Sequence, residues 1–413
     1  MKNSIRSTLA VFFVCPISLS VIASGSLNDG SELDAHKTSI NLNLRYRTEV
    51  VSQDNFEEDA LASLLKTRVN VDHQINRNLS AQFEFDNVSS IGAQHYDSTQ
   101  NRMIDYPRIA DPEGMDLNQS WLDYTSDDLA IRVGRQRILL ADKRIVGAKP
   151  WRNNEQTYDG ARIQWSPTHA LKIDGSYITQ VNRVYGPTDG ENPARWNGDN
   201  LFFETHYQFT KNFITKGFIY NLDIEPQSEF ASSKTVNNSS TTVGFSVEGA
   251  FAPVNYHAAM ALQKSSGSSE LDYQANYYSV ELGFPLFYSK LRLGLETLGS
   301  DNSIGFATPL ANGHGYQGWA DQFLSTPPEG IRDVWIGIDS TMNKIDLKGI
   351  LHDFNTVTSS SSSRGLGREL DFLATWHVDK NIAVTAKAAI FESSAYVPYA
   401  DTSKMWLMIE YSL

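Results

Sequence analysis

The sequence predicts an all-β fold, a transmembrane antiparallel β-barrel of about eighteen strands with short periplasmic turns and long extracellular loops. Three observations predict it. Apolar and polar residues alternate along short segments from residue 39 onward. The connections between those segments alternate strictly between short and long. The last segment keeps its apolar alternation to the final residue.

Composition narrows the classes. Among 413 residues no run of about 18 apolar positions occurs outside the N-terminus, which excludes a bundle of membrane helices. A net charge of -13 argues against a nucleic-acid partner. Residues 1–25 carry Lys2 and Arg6, then an apolar run, then small residues, the pattern of a Sec-type signal peptide. Residues 26–413 then form the barrel. The single cysteine, Cys15, lies in that apolar run, so the exported chain has none. Export without disulfides suits a barrel in a Gram-negative outer membrane, whose closed ladder needs no covalent staple.

The alternation can be followed residue by residue. In 39–51, Ile40, Leu42, Leu44 and Tyr46 oppose Asn41, Asn43, Arg45 and Arg47. Period two sends these sets to opposite faces of a strand. In 65–73, Val69 and Val71 oppose Lys66, Arg68 and Asn70; in 79–87, Ala81, Phe83 and Phe85 oppose Gln82, Glu84 and Asp86. Further segments lie near 116–125, 128–139, 156–166, 170–181, 200–209, 212–224, 240–251, 253–264, 271–283, 289–299, 332–340, 344–355, 368–378, 381–391 and 404–413. Their polar face is dense in charge of both signs, as a water-filled lumen would be.

Short connections, such as 76–78, 166–169 and 379–381, carry the Asn, Asp and Pro of tight turns. Long ones cover 88–115, 140–155, 182–199, 225–239, 300–331 and 355–367, and length sorting puts them all on one side. Trp121, Tyr124, Phe203, Tyr207, Tyr277, Trp335, Trp376 and Trp406 lie near strand ends and are candidates for interfacial girdles. In the final segment Met405, Leu407, Ile409, Tyr411 and Leu413 share a face.

The most informative stretch is 129–165. Leu129, Ile131 and Val133 oppose Arg132 and Gly134, a basic Trp-containing connection follows at 143–152, and Ala161, Ile163 and Trp165 then oppose Gly160, Arg162 and Gln164. The run Leu117-Asn118-Gln119-Ser120-Trp121-Leu122-Asp123-Tyr124, with Gly134-Arg135-Gln136, Trp151-Arg152 and Tyr158-Asp159-Gly160-Ala161-Arg162, resembles the alginate export porin family. So do Leu295-Glu296-Thr297, His314-Gly315-Tyr316-Gln317-Gly318-Trp319-Ala320-Asp321, Ile331-Arg332-Asp333 and Gly367-Arg368-Glu369-Leu370-Asp371. The resemblance implies an outer-membrane channel for passive passage of an anionic saccharide, an alginate-like polyuronate or oligosaccharide, or of another small hydrophilic solute.

A polyuronate carries one carboxylate per sugar, so its path needs fixed cations that bind weakly enough to let go. Arginine suits this because its planar fork meets carboxylates and stays charged. Strand register turns Arg45, Arg47, Arg68, Arg132, Arg162 and Arg292 inward, with Lys66 and Lys172 beside them; Arg135, Arg152 and Asp159 come from the matched motifs. Bracing against lumenal acids such as Glu49, Asp72, Glu84, Asp86, Asp174 and Glu296 is an equal reading of each. His206, His257, His352 and His377 face inward on separate strands without metal-ligand spacing. No nucleophile, phosphate or dinucleotide motif occurs, so no catalytic, metal or cofactor site is assigned. The serine run 359–363 reads as a loop tip, and the loop holding Gly318, Trp319, Ala320 and Asp321 is long enough to fold inward as a lid. Outer-membrane lipid and the barrel assembly machinery are the other expected partners. The alternatives are a barrel with a surface adhesin or enzymatic role and a secreted soluble β protein; the loop sorting disfavours the second.

Overall fold

In the computed structural model, which describes residues 37–357, 364–395 and 397–413, one eighteen-stranded antiparallel sheet closes on itself. The signal-peptide assignment of residues 1–25 and the serine run 359–363 lie outside the described residues. The strands are β1 Lys37–Gln53, β2 Ala60–Gln74, β3 Leu79–His95, β4 Gly114–Thr125, β5 Leu129–Gln136, β6 Thr157–Trp165, β7 Leu171–Asn182, β8 Arg195–Thr210 and β9 Phe213–Leu222. They continue as β10 Ser240–Phe251, β11 Val254–Ser265, β12 Gln274–Leu286, β13 Ser289–Leu298, β14 Ile331–Met342, β15 Ile345–Thr356, β16 Gly365–His377, β17 Ile382–Ser393 and β18 Thr402–Ser412. Each pairs with its sequence neighbours, and β1 also pairs with β18 from Asn43↔Ser412 to Gln53↔Thr402. A closed ladder leaves no strand edge facing lipid, where an unpaired amide would find no water.

Short turns collect at one end. The Asn76 side chain accepts the backbone N–H groups of Asn78 and Leu79, and Asp379 does the same for Asn381 and Ile382. These Asx turns reverse the chain within a few residues. The connections 96–113, 137–156, 183–194, 223–239 and 299–330 lie at the other end, which is the extracellular side of an outer-membrane barrel.

The outward face is apolar on every side, with Phe83 and Phe85 on β3, Ile163 and Trp165 on β6, Val334, Ile336 and Ile338 on β14, and Met405, Leu407 and Ile409 on β18 all exposed. Of the aromatic girdle candidates, Tyr124, Phe203, Tyr207 and Trp376 lie on this face. Trp121, Tyr277, Trp335 and Trp406 do not. The Arg132 guanidinium lies 3.8 Å from the Trp121 ring, Arg292 lies 5.0 Å from that of Trp335, Tyr277 donates to Glu296, and Trp406 packs edge-on against Trp151. Cations, a wall carboxylate and an inward-folded loop give these four rings partners that lipid would not.

The lumen also departs from a uniformly wet interior. Its buried apolar cluster lies inside the barrel, where Ile138, Val146, Phe306, Leu310 and Trp319 of the loops meet inward-facing Ile178, Phe202, Tyr220, Phe354 and Phe391 of the wall. Loops that fold into a barrel need an apolar seat, and burying such side chains supplies roughly 1.5–3 kcal/mol each.

At Gly134, opposite Gly160 in the β5–β6 ladder, φ is +120° and a Cβ would sit 2.2 Å from the Ser120 carbonyl oxygen. No L side chain fits there without moving β4. Gly134→Val is therefore expected to lower the yield of refolded, heat-modifiable barrel in a gel-shift assay by severalfold, whereas the lipid-facing Val133→Leu leaves it unchanged.

Candidate functional site

Two long loops fill the extracellular half of the lumen, and charged groups fix their paths. The loop 137–156 crosses from wall to wall. At its near end Arg45 donates to the carbonyls of Pro150 and Arg152 and to the Asn153 side chain, at 2.9–3.1 Å, while Arg47 donates to the Trp151 carbonyl and to Asp111. At its tip Asp142 meets Lys216 of β9 at 2.6 Å and His257 of β11 at 2.9 Å. The tip is strained, since Ala141, Asp142 and Lys143 have φ of 44°, 55° and 69° in succession. Each such non-glycine residue costs about 1–3 kcal/mol and persists only where its surroundings hold it. Here Ala141 N–H donates to Glu204, and the Tyr316 hydroxyl donates to the Asp142 carbonyl. Burial alone would raise the Asp142 carboxyl, but the bonds from His257 and Lys216 hold it well below the usual carboxylate range.

The loop 299–330 packs against the first and is pinned to the wall. Asp321 is its hub, meeting His314 Nδ1 at 2.8 Å, Lys404 of β18 at 3.1 Å and Arg152 of the first loop at 3.2 Å. Although burial opposes it, these three partners keep Asp321 ionised far below the usual range. Burial beside Lys387 and Arg152 pushes the His314 imidazole down to about 3, so it is neutral. Its Nδ1–H then donates to Asp321 while Nε2 accepts from Lys387 at 2.5 Å. The Trp319 and Ala320 N–H groups donate to Asp371 and Glu369 of β16. Between loop and wall Gly318 has φ of +79°, and a Cβ there would lie 2.3 Å from the Glu369 carboxylate. Arg144 joins the two loops by bonding Glu296 at 2.6 Å and Gln317 at 2.8 Å.

Two chambers lie open against these loops. The outer one, about 370 Å³, is lined by Lys149, Arg152, Arg183 and Lys387, with Trp151, Tyr185, Trp196 and Trp319, and no carboxylate among the described residues is in its lining. The inner one, about 290 Å³, lies toward the short turns and is lined by Asp142, Glu281, Glu296 and Asp333 as well as Arg144 and Arg292. Gly315 and Trp319 line both and form the partition.

The sequence-predicted path residues all lie in this region or on the wall, and most are neutralised. Arg68 meets Asp86 at 2.7 Å and Glu155 at 2.9 Å; Lys66 meets the same two acids at 3.1 and 3.5 Å. Burial opposes ionisation of Glu155, yet Lys66, Arg68 and Arg137 hold it well below its ordinary value. Arg132 pairs with Asp123, Arg135 with Asp159, Arg162 with Asp174, Arg292 with Asp339, and Arg152 with Asp321. Asp159 also accepts from Gln180 and Asn182. Of the basic members Arg45 and Lys172 have no carboxylate within 4 Å among the described residues, and Arg45 carries the loop carbonyls instead. These pairings brace the wall and its loops.

Two cations the sequence reading did not single out behave differently. Lys149 donates to the Pro309 carbonyl and Arg183 to the Pro193 carbonyl, and neither is paired with a carboxylate among the described residues. Arg183 lies 3.8 Å from the Trp196 ring and 4.6 Å from that of Tyr185. Burial, with Arg183 and Arg152 nearby, brings the Lys149 ammonium down to about 7; burial brings Arg183 to about 10. Lys387 sits within 4.0 Å of the Trp319 and Trp151 ring centroids. Its inward position was readable from the alternation of β17, whereas the convergence of Lys149 and Arg183 depends on how two loops fold.

The sequence profile of the family described as alginate export matches residues 36–296. The chain belongs to the alginate export family. It is an outer-membrane barrel channel, and its fold is similar to that of solved outer-membrane porins. Acinetobacter baumannii OccAB2 superposes with a TM-score of 0.71 at 14% identity, covering 93% of this chain and 99% of that one. Pseudomonas aeruginosa OccK9 (OpdG) gives 0.68 at 11%, covering 91% and 98%, and OpdQ of the same organism gives the same four values. No curated protein matches the chain significantly.

For this alginate export family barrel, removing the Asp321 hub is the direct test of whether the loops limit the channel. Breaking one side of a buried ion pair costs about 3–5 kcal/mol locally. Asp321→Ala is expected to leave the barrel heat-modifiable while raising single-channel conductance at least twofold in planar bilayers; unchanged conductance would place the constriction elsewhere.

Proposed function

We propose that this barrel is a passive channel for small carboxylate-bearing solutes, selected in the outer chamber, and that it is not an enzyme. One observation carries the reading. In a lumen where acids neutralise most of the arginines, Lys149 and Arg183 face a cavity with no carboxylate in its lining. A cavity of about 370 Å³ falls at the lower end of the roughly 300–1,000 Å³ of small-molecule sites. It suits a single ring or two better than a polymer. A uronate unit of the kind the family's description implies is the carboxylate to test first, with other small hydrophilic anions beside it. Fixed cations that are partly desolvated bind a carboxylate while water at the open side lets it leave, as conduction requires. The paired acids Glu369 and Asp371 are occupied in holding the Trp319 and Ala320 amides, which favours a loop-anchoring role over acid–base chemistry. Sec export, insertion by the barrel assembly machinery and an annulus of outer-membrane lipid are the partners this reading implies.

Bilayer recordings test it. Reversal potentials in a salt gradient should indicate anion preference, and glucuronate should reduce the chloride current. Lys149 is charged below about 7 and neutral above it, so block by glucuronate should weaken as pH rises from 6 to 8.5. A lost charged hydrogen bond is worth about 1.5–3 kcal/mol, or about ten- to a hundredfold in the blocking concentration. Lys149→Met should show the weak block at both pH values. Cation preference in the unmodified barrel, with no block, would reject the proposal.

A further inference from the structure

Lys216 of β9 has two seats and uses one of them. Its ammonium lies between two carboxylates, 2.6 Å from Asp142 at the 137–156 loop tip and 3.3 Å from Glu248 of β10. His257 of β11 stands directly opposite Glu248 in the ladder, and its Nε2 lies 2.9 Å from the second Asp142 oxygen. Lys216 itself stands between His206 of β8 and Ser246 of β10. Directly opposite residues share a face of the sheet, with Cβ atoms about 4.5–5.5 Å apart. Both of these neighbours lack partners. Ser246 is 4% exposed and its hydroxyl makes no hydrogen bond among the described residues, and His206 Nε2 is buried without one. Each can accept from an ammonium.

The groups around that ammonium are those of a metal site. One ligand atom from each of Asp142, Glu248 and His257 lies within 4.8 Å of the other two. An ion bonded at about 2.0–2.2 Å to all three needs only small side-chain movements. Their side chains are partly exposed, and Asp142, His257 and Ser246 line the inner chamber, so a hydrated ion can reach them. Two carboxylates with one neutral imidazole suit zinc and its neighbours, whereas magnesium and calcium take oxygen ligands. Two negative charges also attract a dication more strongly than a single ammonium. The ligands come from a loop and two strands, which is why no metal-ligand spacing shows along the chain.

We infer that Asp142, Glu248 and His257 form a binding site for a divalent transition-metal ion such as zinc, which moves the Lys216 ammonium over to Ser246 and His206. Water completes the coordination from the chamber side. The ion ties the strained loop tip to β10 and β11, where Lys216 otherwise ties it to β9 and β10. Metal binding here is separate from solute selection in the outer chamber, and neither depends on the other.

The test is calorimetric titration of zinc chloride into the intact, untagged barrel in detergent at neutral pH. One saturable site is expected, and about a hundredfold excess of magnesium should leave it in place. His257→Gln and Glu248→Gln, each checked as a heat-modifiable barrel on gels, should weaken zinc binding at least tenfold. Lys216→Met removes the competing ammonium and should tighten binding at least threefold. Absence of a saturable site, or zinc binding unchanged in both His257→Gln and Glu248→Gln, overturns the inference. Displacement of zinc by magnesium at similar concentration overturns the class of ion. Binding no tighter in Lys216→Met overturns the exchange of ion for ammonium, and with it the site as drawn.

Discussion

Hydrocarbon offers a backbone amide no partner, and the β1–β18 ladder answers that constraint by joining the first strand to the last. Once the sheet is closed, its two faces have opposite solvents, and period-two alternation must serve both along every strand. The outward side chains of the mid-strand band are mostly apolar. The inward ones are not uniform, because the lumen is shared between ion pairs, an apolar seat for the loops, and two open chambers. An eighteen-stranded barrel is wide, so what determines passage is the material packed inside it and the interactions that keep it there.

Three carboxylates do most of that holding, and each joins elements remote in sequence. Asp111 ties the connection 96–113 to Arg47 and to the Asn153 backbone. Asp142 fastens the tip of 137–156 to the far wall, and Asp321 joins 299–330 to β18 and to the first loop. A buried ion pair contributes little over an apolar contact of the same shape, but losing one partner leaves a charge stranded. The arrangement therefore specifies loop position more than it adds stability, and the strained tip at Ala141, Asp142 and Lys143 is tolerated because Asp142 is held from both sides.

Much of this was legible in the sequence. The eighteen strands and the sorting of their connections followed from alternation and turn residues, and the inward register of Arg45, Arg68, Arg132 and Arg162 followed from the same period. Aromatic placement was harder. An aromatic near a strand end reads as a girdle residue, yet Trp121 and Trp335 serve as platforms for arginines and Trp406 as a wall for Trp151. Loop residues carry no periodicity, so the basic, Trp-containing stretch 143–152 could be noticed but not placed. Its meeting with Arg183 from another loop and Lys387 from β17 is a tertiary fact with no local signature. The pairing that neutralises most lumenal arginines was an open alternative in the sequence, and side-chain geometry decided it.

The partition at Gly315 and Trp319 separates a chamber lined by four cations and, among the described residues, no carboxylate from one lined by four carboxylates and two arginines. Fixed charges of opposite sign in series along a narrow path behave as a junction. Under one voltage polarity mobile ions accumulate at the boundary, and under the other they are depleted from it, so current is larger in one direction. A barrel with such a junction would rectify. Its easy direction is tied to the ends of the molecule, so the sign of the asymmetry reports which way a single inserted channel points.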